Sequence, residues 1–172
     1  MKHHKPHIKA IFVGASAGGV TALNALFKSL PVNFSIPMIV VLHLGEHRFI
    51  PNAFYTPSGI TLKEADEKEP IMPGHIYFAP ADYHLLVEHD FTFSLSTEEK
   101  VQYARPSLDI TMETAAEAYK SSLLGIVLTG ANEDGAHGLW TIKHFKGLAI
   151  TQDPRDAEYP VSYTHLTLPT KA

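Results

Sequence analysis

Cysteine is absent from this sequence of 172 residues. Its absence excludes disulfide bonds, thiolate metal sites and a cysteine nucleophile, so any covalent catalysis must use serine, threonine or a carboxylate. A chain without cysteine also fits the reducing cytoplasm, which is the compartment that we expect.

Long apolar runs and clusters of basic residues are missing as well. No run approaches the ~20 apolar residues that a membrane-spanning helix needs, so we expect no membrane insertion. The 14 basic and 18 acidic side chains give a formal net charge of −4, without a basic cluster that could follow a phosphate backbone, which disfavours nucleic-acid binding. With 45% apolar residues, a chain of this length is expected to form one soluble domain.

The first third of the chain indicates a strand, a turn, a helix and a second strand. Residues 8–13 form a short β-rich run, the glycine-rich turn 14–19 follows, and apolar residues at helical spacing continue to Pro31. The apolar run 37–42 is typical of a strand that is buried on both faces. This order of elements is the beginning of a βαβ unit with a parallel sheet.

The middle of the chain contains short candidate strands separated by proline, glycine or His-Asp turns. They cover residues 60–63, 75–79, 85–88 and 91–95. The turn His89-Asp90 between the last two runs suggests a β-hairpin.

The last third again alternates helices and strands. Ser107 is a plausible N-cap of a helix that continues to Lys120, and Asp109 is favourable in its first turn. An apolar strand at residues 123–128 leads through a turn into a helix that ends near Phe145, and residues 148–151 form the last predicted strand.

Three reactive side chains follow predicted strands at the edge where an open parallel sheet binds its ligand. Ser16 follows the first strand, His43 ends the second, and Asp134 follows the strand at residues 123–128. Together they supply the hydroxyl, the base and the orienting carboxylate of a serine hydrolase. Each also has a purely structural alternative, as a helix cap, a packed strand-end histidine or a turn residue, and the sequence alone leaves both open.

The glycines around Ser16 support the hydrolase reading, because they would let the backbone turn sharply and a substrate approach. The same segment, residues 14–19, resembles a phosphate-binding loop, but it lacks the G-x-G-x-x-G pattern and the Walker lysine. His43-Leu-Gly-Glu-His47 matches the H-x-x-E-H zinc pattern, which requires a helix, whereas here it follows a strand and contains Gly45. We therefore expect no metal and no cofactor, and a nucleotide-binding α/β protein is the less favoured alternative.

Five segments occur in an order that is specific for one known family. They are I-F-V-G-A-S-A-G-G at residues 11–19, I-V-V-L-H at 39–43, P-G-H-I-Y-F-A-P-A-D-Y-H-L-L-V at 73–87, R-P-S-L-D at 105–109 and L-T-G-A-N-E-D-G-A at 128–136. With these motifs the chain resembles, from about residue 11 to residue 160, the CheB-type protein-glutamate methylesterases of bacterial chemotaxis. The resemblance places the catalytic residues of that family at Ser16, His43 and Asp134.

The resemblance implies a doubly wound α/β fold, with a mostly parallel sheet, helices on both faces and a small antiparallel hairpin. It also implies hydrolysis of glutamate methyl esters on the methylated cytoplasmic helices of chemoreceptors, with glutamine deamidation as a related activity and a separate response regulator as a further partner. The alternative is a non-catalytic signalling module of the same fold. For the oxyanion or substrate we further expect the backbone at Ala17, Gly18 and Ala131, and Arg105 as a substrate contact or a structural pairing residue.

The resemblance also divides the chain. We expect a Lys/His-rich tail at residues 1–7, a methylesterase domain at 8–161 and a tail at 162–172 that departs from the family pattern and has the character of a truncated or foreign end. Because only seven residues precede the first strand, we expect a catalytic domain without the receiver domain of the family, and hence no regulation by phosphorylation in cis. The basic start and Ala15-Ser16-Ala17 imitate a signal peptide, but the apolar core between them is too short.

Overall fold

The computed structural model describes residues 5–16, 19–43, 51–128 and 133–152. In chain order the strands and α-helices are β1 (Ala10–Ala15), α1 (Gly19–Ser29), β2 (Met38–Leu42), β3 (Thr61–Glu64), β4 (His75–Phe78), β5 (His84–Val87), β6 (Phe93–Ser96), α2 (Leu108–Tyr119), β7 (Leu123–Val127), α3 (Ala136–His144) and β8 (Leu148–Thr151). Every predicted strand and helix is present within two residues of its predicted ends. None of the helices in the described part of the chain is long and apolar enough to cross a membrane.

Six strands form a wholly parallel sheet in the order β3-β4-β2-β1-β7-β8. The central strand is β1, in which Gly14 is in register with Val41 of β2 on one side and with Val127 of β7 on the other. Strands β2, β4 and β3 therefore lie on one side of β1, and the later strands β7 and β8 lie on the other. In doubly wound sheets, such a reversal of strand order marks the crevice at the carboxyl edge where ligands bind.

Helices cover both faces of this sheet because successive strand side chains point to opposite sides. On one face Phe12 of β1 belongs to the same buried cluster as Met112 of α2 and Leu139 of α3. On the other face Val13 packs in a second cluster with Leu23 of α1. The predicted doubly wound architecture is therefore confirmed.

The predicted hairpin is also present, as a separate two-stranded antiparallel sheet of β5 and β6. Leu85, Val87 and Phe93 bury their side chains in the cluster that contains α2 and α3. The hairpin consequently packs against α2, and Thr111 of that helix donates a hydrogen bond to the carbonyl of Leu85 at 2.6 Å.

The two helices on the hairpin side pack closely at Gly138 of α3. A Cβ atom added there would lie 2.6 Å from Cβ and 2.7 Å from Cε of Met112. Alanine has the higher helix propensity, by about 1 kcal/mol, but overpacking costs about 1–3 kcal/mol. We expect Gly138→Ala to lower the free energy of unfolding by about 1 kcal/mol in urea titrations. The added substitution Met112→Ala removes the contact with Cε but keeps Cβ, and it should cost less in this variant than in the wild type. Additive effects of the two substitutions would contradict this packing.

Candidate active site

The carboxyl ends of β1 and β2 bring Ser16 and His43 to the same level of the sheet. Ala15 is in register with Leu42, and the amide of His43 donates to the carbonyl of Ala15 at 2.9 Å. Ser16 and His43 each follow one member of this pair, on strands that lie about 4.8 Å apart. The amide of Gly19 donates to the carbonyl of Ser16 at 2.8 Å, so α1 begins beside Ser16 with the positive end of its dipole.

Two glycines near Ser16 are required by packing. A Cβ atom on Gly14 would lie 2.5 Å from Cδ2 of Leu108, and one on Gly19 would collide with the side chain of Leu42. Neither glycine is among those with positive φ. A left-handed backbone is therefore not what requires glycine at these two positions, and the sharp turn expected of the glycines around Ser16 stays a prediction. Gly14 and Gly19 allow α2 and α1 to approach the strand ends closely.

His43 contacts Asp134 directly. Its Nε2 lies 3.1 Å from Oδ2 of Asp134 and 3.0 Å from the carbonyl oxygen of Pro106. The side chain of His43 is 13% exposed and that of Asp134 is fully buried. Because both neighbours of Nε2 are acceptors, Nε2 carries the hydrogen of the neutral ring and Nδ1 carries the lone pair. The two oxygen atoms therefore hold Nε2 and leave Nδ1 of His43 as the base nitrogen.

The carboxylate of Asp134 sits at the N-terminus of α2. Its Oδ1 accepts the hydroxyl of Ser107 at 2.9 Å and the amide of Asp109 at 3.0 Å, and its Oδ2 accepts the amide of Leu108 at 2.6 Å. Burial disfavours the charged form, but the hydrogen bonds from His43 and from these two amides outweigh it, so the pKa of Asp134 is lowered. The site thus holds an ionised carboxylate against His43.

Ser107 caps α2 as predicted, since its Oγ accepts the amide of Ile110 at 3.4 Å. The N-cap position of α3 is occupied by Gly135, which has a φ of 115°. The structural alternative for Asp134 as a cap thus applies to the first turn of α2, whose Leu108 and Asp109 lie 26 and 25 residues earlier in the chain.

Asp109 makes the converse contact from α2 to α3. Its Oδ1 accepts the amides of Gly135 at 2.9 Å and Gly138 at 2.8 Å. The first turn of α2 therefore binds the carboxylate of Asp134, which precedes α3. The first turn of α3 binds the carboxylate of Asp109, which belongs to α2. Burial raises the pKa of Asp109 to about 6; the amide hydrogen bonds oppose this change and the charge of Asp134 adds to it. The favourable first-turn role predicted for Asp109 consequently extends to the neighbouring helix.

The raised pKa of Asp109 predicts a pH-dependent effect of Asp109→Asn. The carboxyl ionises near pH 4 in the unfolded chain but at about 6 in the fold, so wild-type stability is lost as the pH rises through this window. Asparagine never ionises, and its oxygen still accepts both amides. We expect the stability of the variant relative to the wild type to increase by up to about 3 kcal/mol between pH 4 and pH 8 in urea titrations. A difference that is independent of pH would contradict the assignment.

The remaining predicted site residues are placed as follows. The guanidinium of Arg105 donates to the carbonyls of Thr97 at 3.1 Å and Glu98 at 3.2 Å, which corresponds to the structural pairing alternative. Ala17, Gly18 and Ala131 lie outside the described residues, and their roles stay predictions.

Two further histidines are His137, three residues after Asp134, and His47 of the zinc pattern. His137 pairs with Glu113 at 3.3 Å and stacks on Trp140, with its side chain 64% exposed. His47, the second histidine of the zinc pattern, lies outside the described residues, within which no cluster of three metal-ligating side chains occurs.

Sequence reasoning missed two contributors to the site. His84, to which the sequence assigns no role in the site, is fully buried and accepts the amide of Ser107 at Nδ1, at 3.2 Å. The second is the carbonyl of Pro106, which contacts His43 across 63 residues of chain. A backbone carbonyl has no signature in a single sequence. His84 had one indirect signal, its position immediately before a predicted strand.

The sequence matches a known family model and several named proteins. The sequence model described as CheB methylesterase matches residues 11–162. A Thermotoga maritima protein named protein-glutamate methylesterase/protein-glutamine glutaminase is 35% identical over 150 residues, which cover 84% of this chain and 44% of that protein. A Leptospira interrogans protein, whose name is a provisional form of the same one, is 46% identical over 156 residues, covering 87% of this chain and 79% of its own length.

A solved structure agrees with these sequence matches. The crystal structure of the Thermotoga maritima CheB methylesterase catalytic domain has a TM-score of 0.79 with 31% sequence identity. The match covers 91% of this chain and 87% of that domain.

Proposed function

This chain belongs to the CheB methylesterase family, and we propose that it hydrolyses glutamate methyl esters on chemoreceptors to glutamate and methanol. Deamidation of glutamine side chains is the related activity, in line with the glutaminase in the names of its relatives. The observation that carries the proposal is the buried contact between His43 and Asp134, at the strand end beside Ser16.

In the acylation step, Oγ of Ser16 attacks the ester carbonyl carbon while Nδ1 of His43 accepts the hydroxyl proton. The carbonyl π electrons move to oxygen and form a tetrahedral oxyanion. When this intermediate collapses, the bond to the methoxy group breaks, and His43 returns the proton to the departing oxygen as methanol. The product is an acyl-enzyme on Ser16.

In the deacylation step, His43 takes a proton from water, whose oxygen attacks the acyl carbon. The bond to Oγ of Ser16 then breaks, and His43 restores the hydroxyl proton, which leaves a free glutamate side chain. Asp134 keeps its charge throughout, because α2 already supplies it with two amides and a hydroxyl. Its charge stabilises the imidazolium and holds the hydrogen on Nε2.

Backbone amides at the carboxyl edge of the sheet would stabilise the oxyanion. We propose the backbone at Ala17, Gly18 and Ala131 as the source of these donors, with the amides of Ala17 and Ala131 as the candidates. The positive end of the α1 dipole, next to Ser16, supports this placement.

The alternative is a non-catalytic module that binds the same signalling partners. A buried, ionised carboxylate held against an imidazole favours the catalytic function over the binding module. A surface that only binds a partner needs neither an activated base nor a carboxylate that is shielded from water. We propose methylated cytoplasmic receptor helices and a separate response regulator as partners, and the cytoplasm as the location. We also propose residues 8–161 as the catalytic domain, with 1–7 and 162–172 outside it.

Methanol release from methylated receptor fragments by the purified chain tests the proposal. We expect one methanol for each new glutamate carboxylate, with loss of turnover after treatment with a serine-directed reagent. Binding of the fragments without methanol release would instead support the non-catalytic module.

A further inference from the structure

One peptide group connects two histidines beside the site. The carbonyl oxygen of the Pro106–Ser107 peptide lies 3.0 Å from Nε2 of His43, and its N–H donates to Nδ1 of His84 at 3.2 Å. Because the peptide group is planar, the direction of its N–H fixes the direction of its carbonyl. The contact at His84 therefore constrains the oxygen that faces His43.

The hydrogen bonds of His84 define its protonation. Nδ1 faces an amide donor and must carry a lone pair, whereas Nε2 lies 2.8 Å from the carbonyl of Glu99 and must carry the hydrogen. The residue is fully buried at the start of β5, in the hairpin that packs against α2. A neutral His84 in this tautomer satisfies both neighbours, and a protonated ring would turn a second N–H against the amide of Ser107.

We propose that His84 is a positioning residue for ester hydrolysis, acting through the Pro106–Ser107 peptide on His43 and Asp134. The peptide supplies the second acceptor for Nε2 of His43, and the Ser107 hydroxyl on its other side donates to Oδ1 of Asp134. His84 thus holds the backbone segment that contacts Nε2 of His43 and the carboxylate of Asp134. This inference rests on the proposed function, which assigns those two residues their roles.

A purely structural role would stabilise the fold without affecting the reaction. Two substitutions separate the roles, because the amide of asparagine occupies the position of Nδ1 and that of glutamine the position of Nε2. His84→Asn keeps an acceptor for Ser107 and loses the contact with Glu99. His84→Gln keeps the donor to Glu99 and loses the contact with Ser107. Each variant leaves one backbone group unpaired, so each is the control for the other.

Steady-state hydrolysis of the methylated receptor fragment, together with urea unfolding, tests the proposal. We expect His84→Gln to lower kcat about ten- to a hundredfold at unchanged KM, since small misplacement of a reacting group costs rates of this order. His84→Asn should stay within about threefold of the wild type, with a similar loss of stability. Equal kcat losses in both variants, or none in either, would overturn the positioning role.

Nuclear magnetic resonance supplies a readout that does not require esterase activity. In the wild type we expect a ¹⁵N–¹⁵N coupling across the hydrogen bond between the Ser107 amide and His84, and a His43 ring protonated at Nε2. His84→Gln should add the other His43 tautomer. If the wild type shows the coupling and the His43 tautomer but releases no methanol, the proposed function is wrong, whereas the hydrogen bonds from His84 through the Pro106–Ser107 peptide to His43 are confirmed. If the coupling is absent from the wild type, the inference on His84 fails, whether or not the variants fold.

Discussion

Replacing Ser16 with alanine is expected to lower kcat for ester hydrolysis by about 10⁴-fold or more, the scale on which serine-hydrolase triads lose activity. The substitution removes the Oγ atom that forms the acyl bond, and the absence of cysteine excludes a thiol as a replacement nucleophile. The carbonyl of Ser16, which accepts the amide of Gly19, is retained. We expect the free energy of unfolding to change by no more than about 1 kcal/mol.

Methanol release under single-turnover conditions, with urea unfolding of the same preparation, measures this effect. Ser29→Ala is the matched control, because Ser29 donates to the carbonyl of Leu26 at the far end of α1 and faces solvent. It should retain wild-type kcat. A folded Ser16→Ala protein with wild-type turnover would exclude Ser16 as the nucleophile, and equal losses in both variants would indicate a general effect on the preparation.

The strands could be predicted because burial on two faces leaves a direct trace in the sequence. β1 and β2 are buried at every position, and each appears as a short uninterrupted apolar run. The parallel connection between them followed from the intervening helix. With the strand ends known, the rule that ligands bind at the carboxyl edge pointed to Ser16, His43 and Asp134. The contact between His43 and Asp134 agrees with that inference.

The surroundings of Asp134 could not be predicted in the same way. They depend on how closely α2 approaches the strand ends, which is set by the contact of Leu108 with Gly14. The sequence indicated a cap at Ser107 and a helpful charge at Asp109, both for their own helix. Local patterns cannot show that Ser107 also donates to Asp134, or that Asp109 accepts amides of α3. These contacts link residues more than 25 positions apart.

Asp134→Asn should lower kcat by about 10⁴-fold, because the amide cannot satisfy the donors that surround the carboxylate. An NH₂ group at the position of Oδ1 faces the amide of Asp109, and one at the position of Oδ2 faces the amide of Leu108 and Nε2 of His43. In the second orientation His43 can accept the new N–H only by moving its own hydrogen to Nδ1. That tautomer cannot take the proton of Ser16.

The same substitution should destabilise the fold with a distinct pH dependence. The pKa of Asp134 is lowered in the fold, so its charge contributes stability above the ordinary carboxyl pKa, and this contribution is lost as the pH falls through the folded value. We therefore expect Asp134→Asn to cost about 1–3 kcal/mol at pH 7, the cost of a buried hydrogen-bonding mismatch, and progressively less in acid.

Single-turnover kinetics at pH 7 and urea unfolding from pH 7 downward measure the two effects of Asp134→Asn. Asp66→Asn is the control, since Asp66 is a mostly exposed carboxylate paired with Lys63, and its loss should change stability by no more than about 1 kcal/mol and kcat not at all. If Asp134→Asn lost stability but kept kcat, Asp134 would be only a cap of α2. If kcat is lost under conditions in which all of the variant is folded, the carboxylate of Asp134 must act on His43 in the reaction.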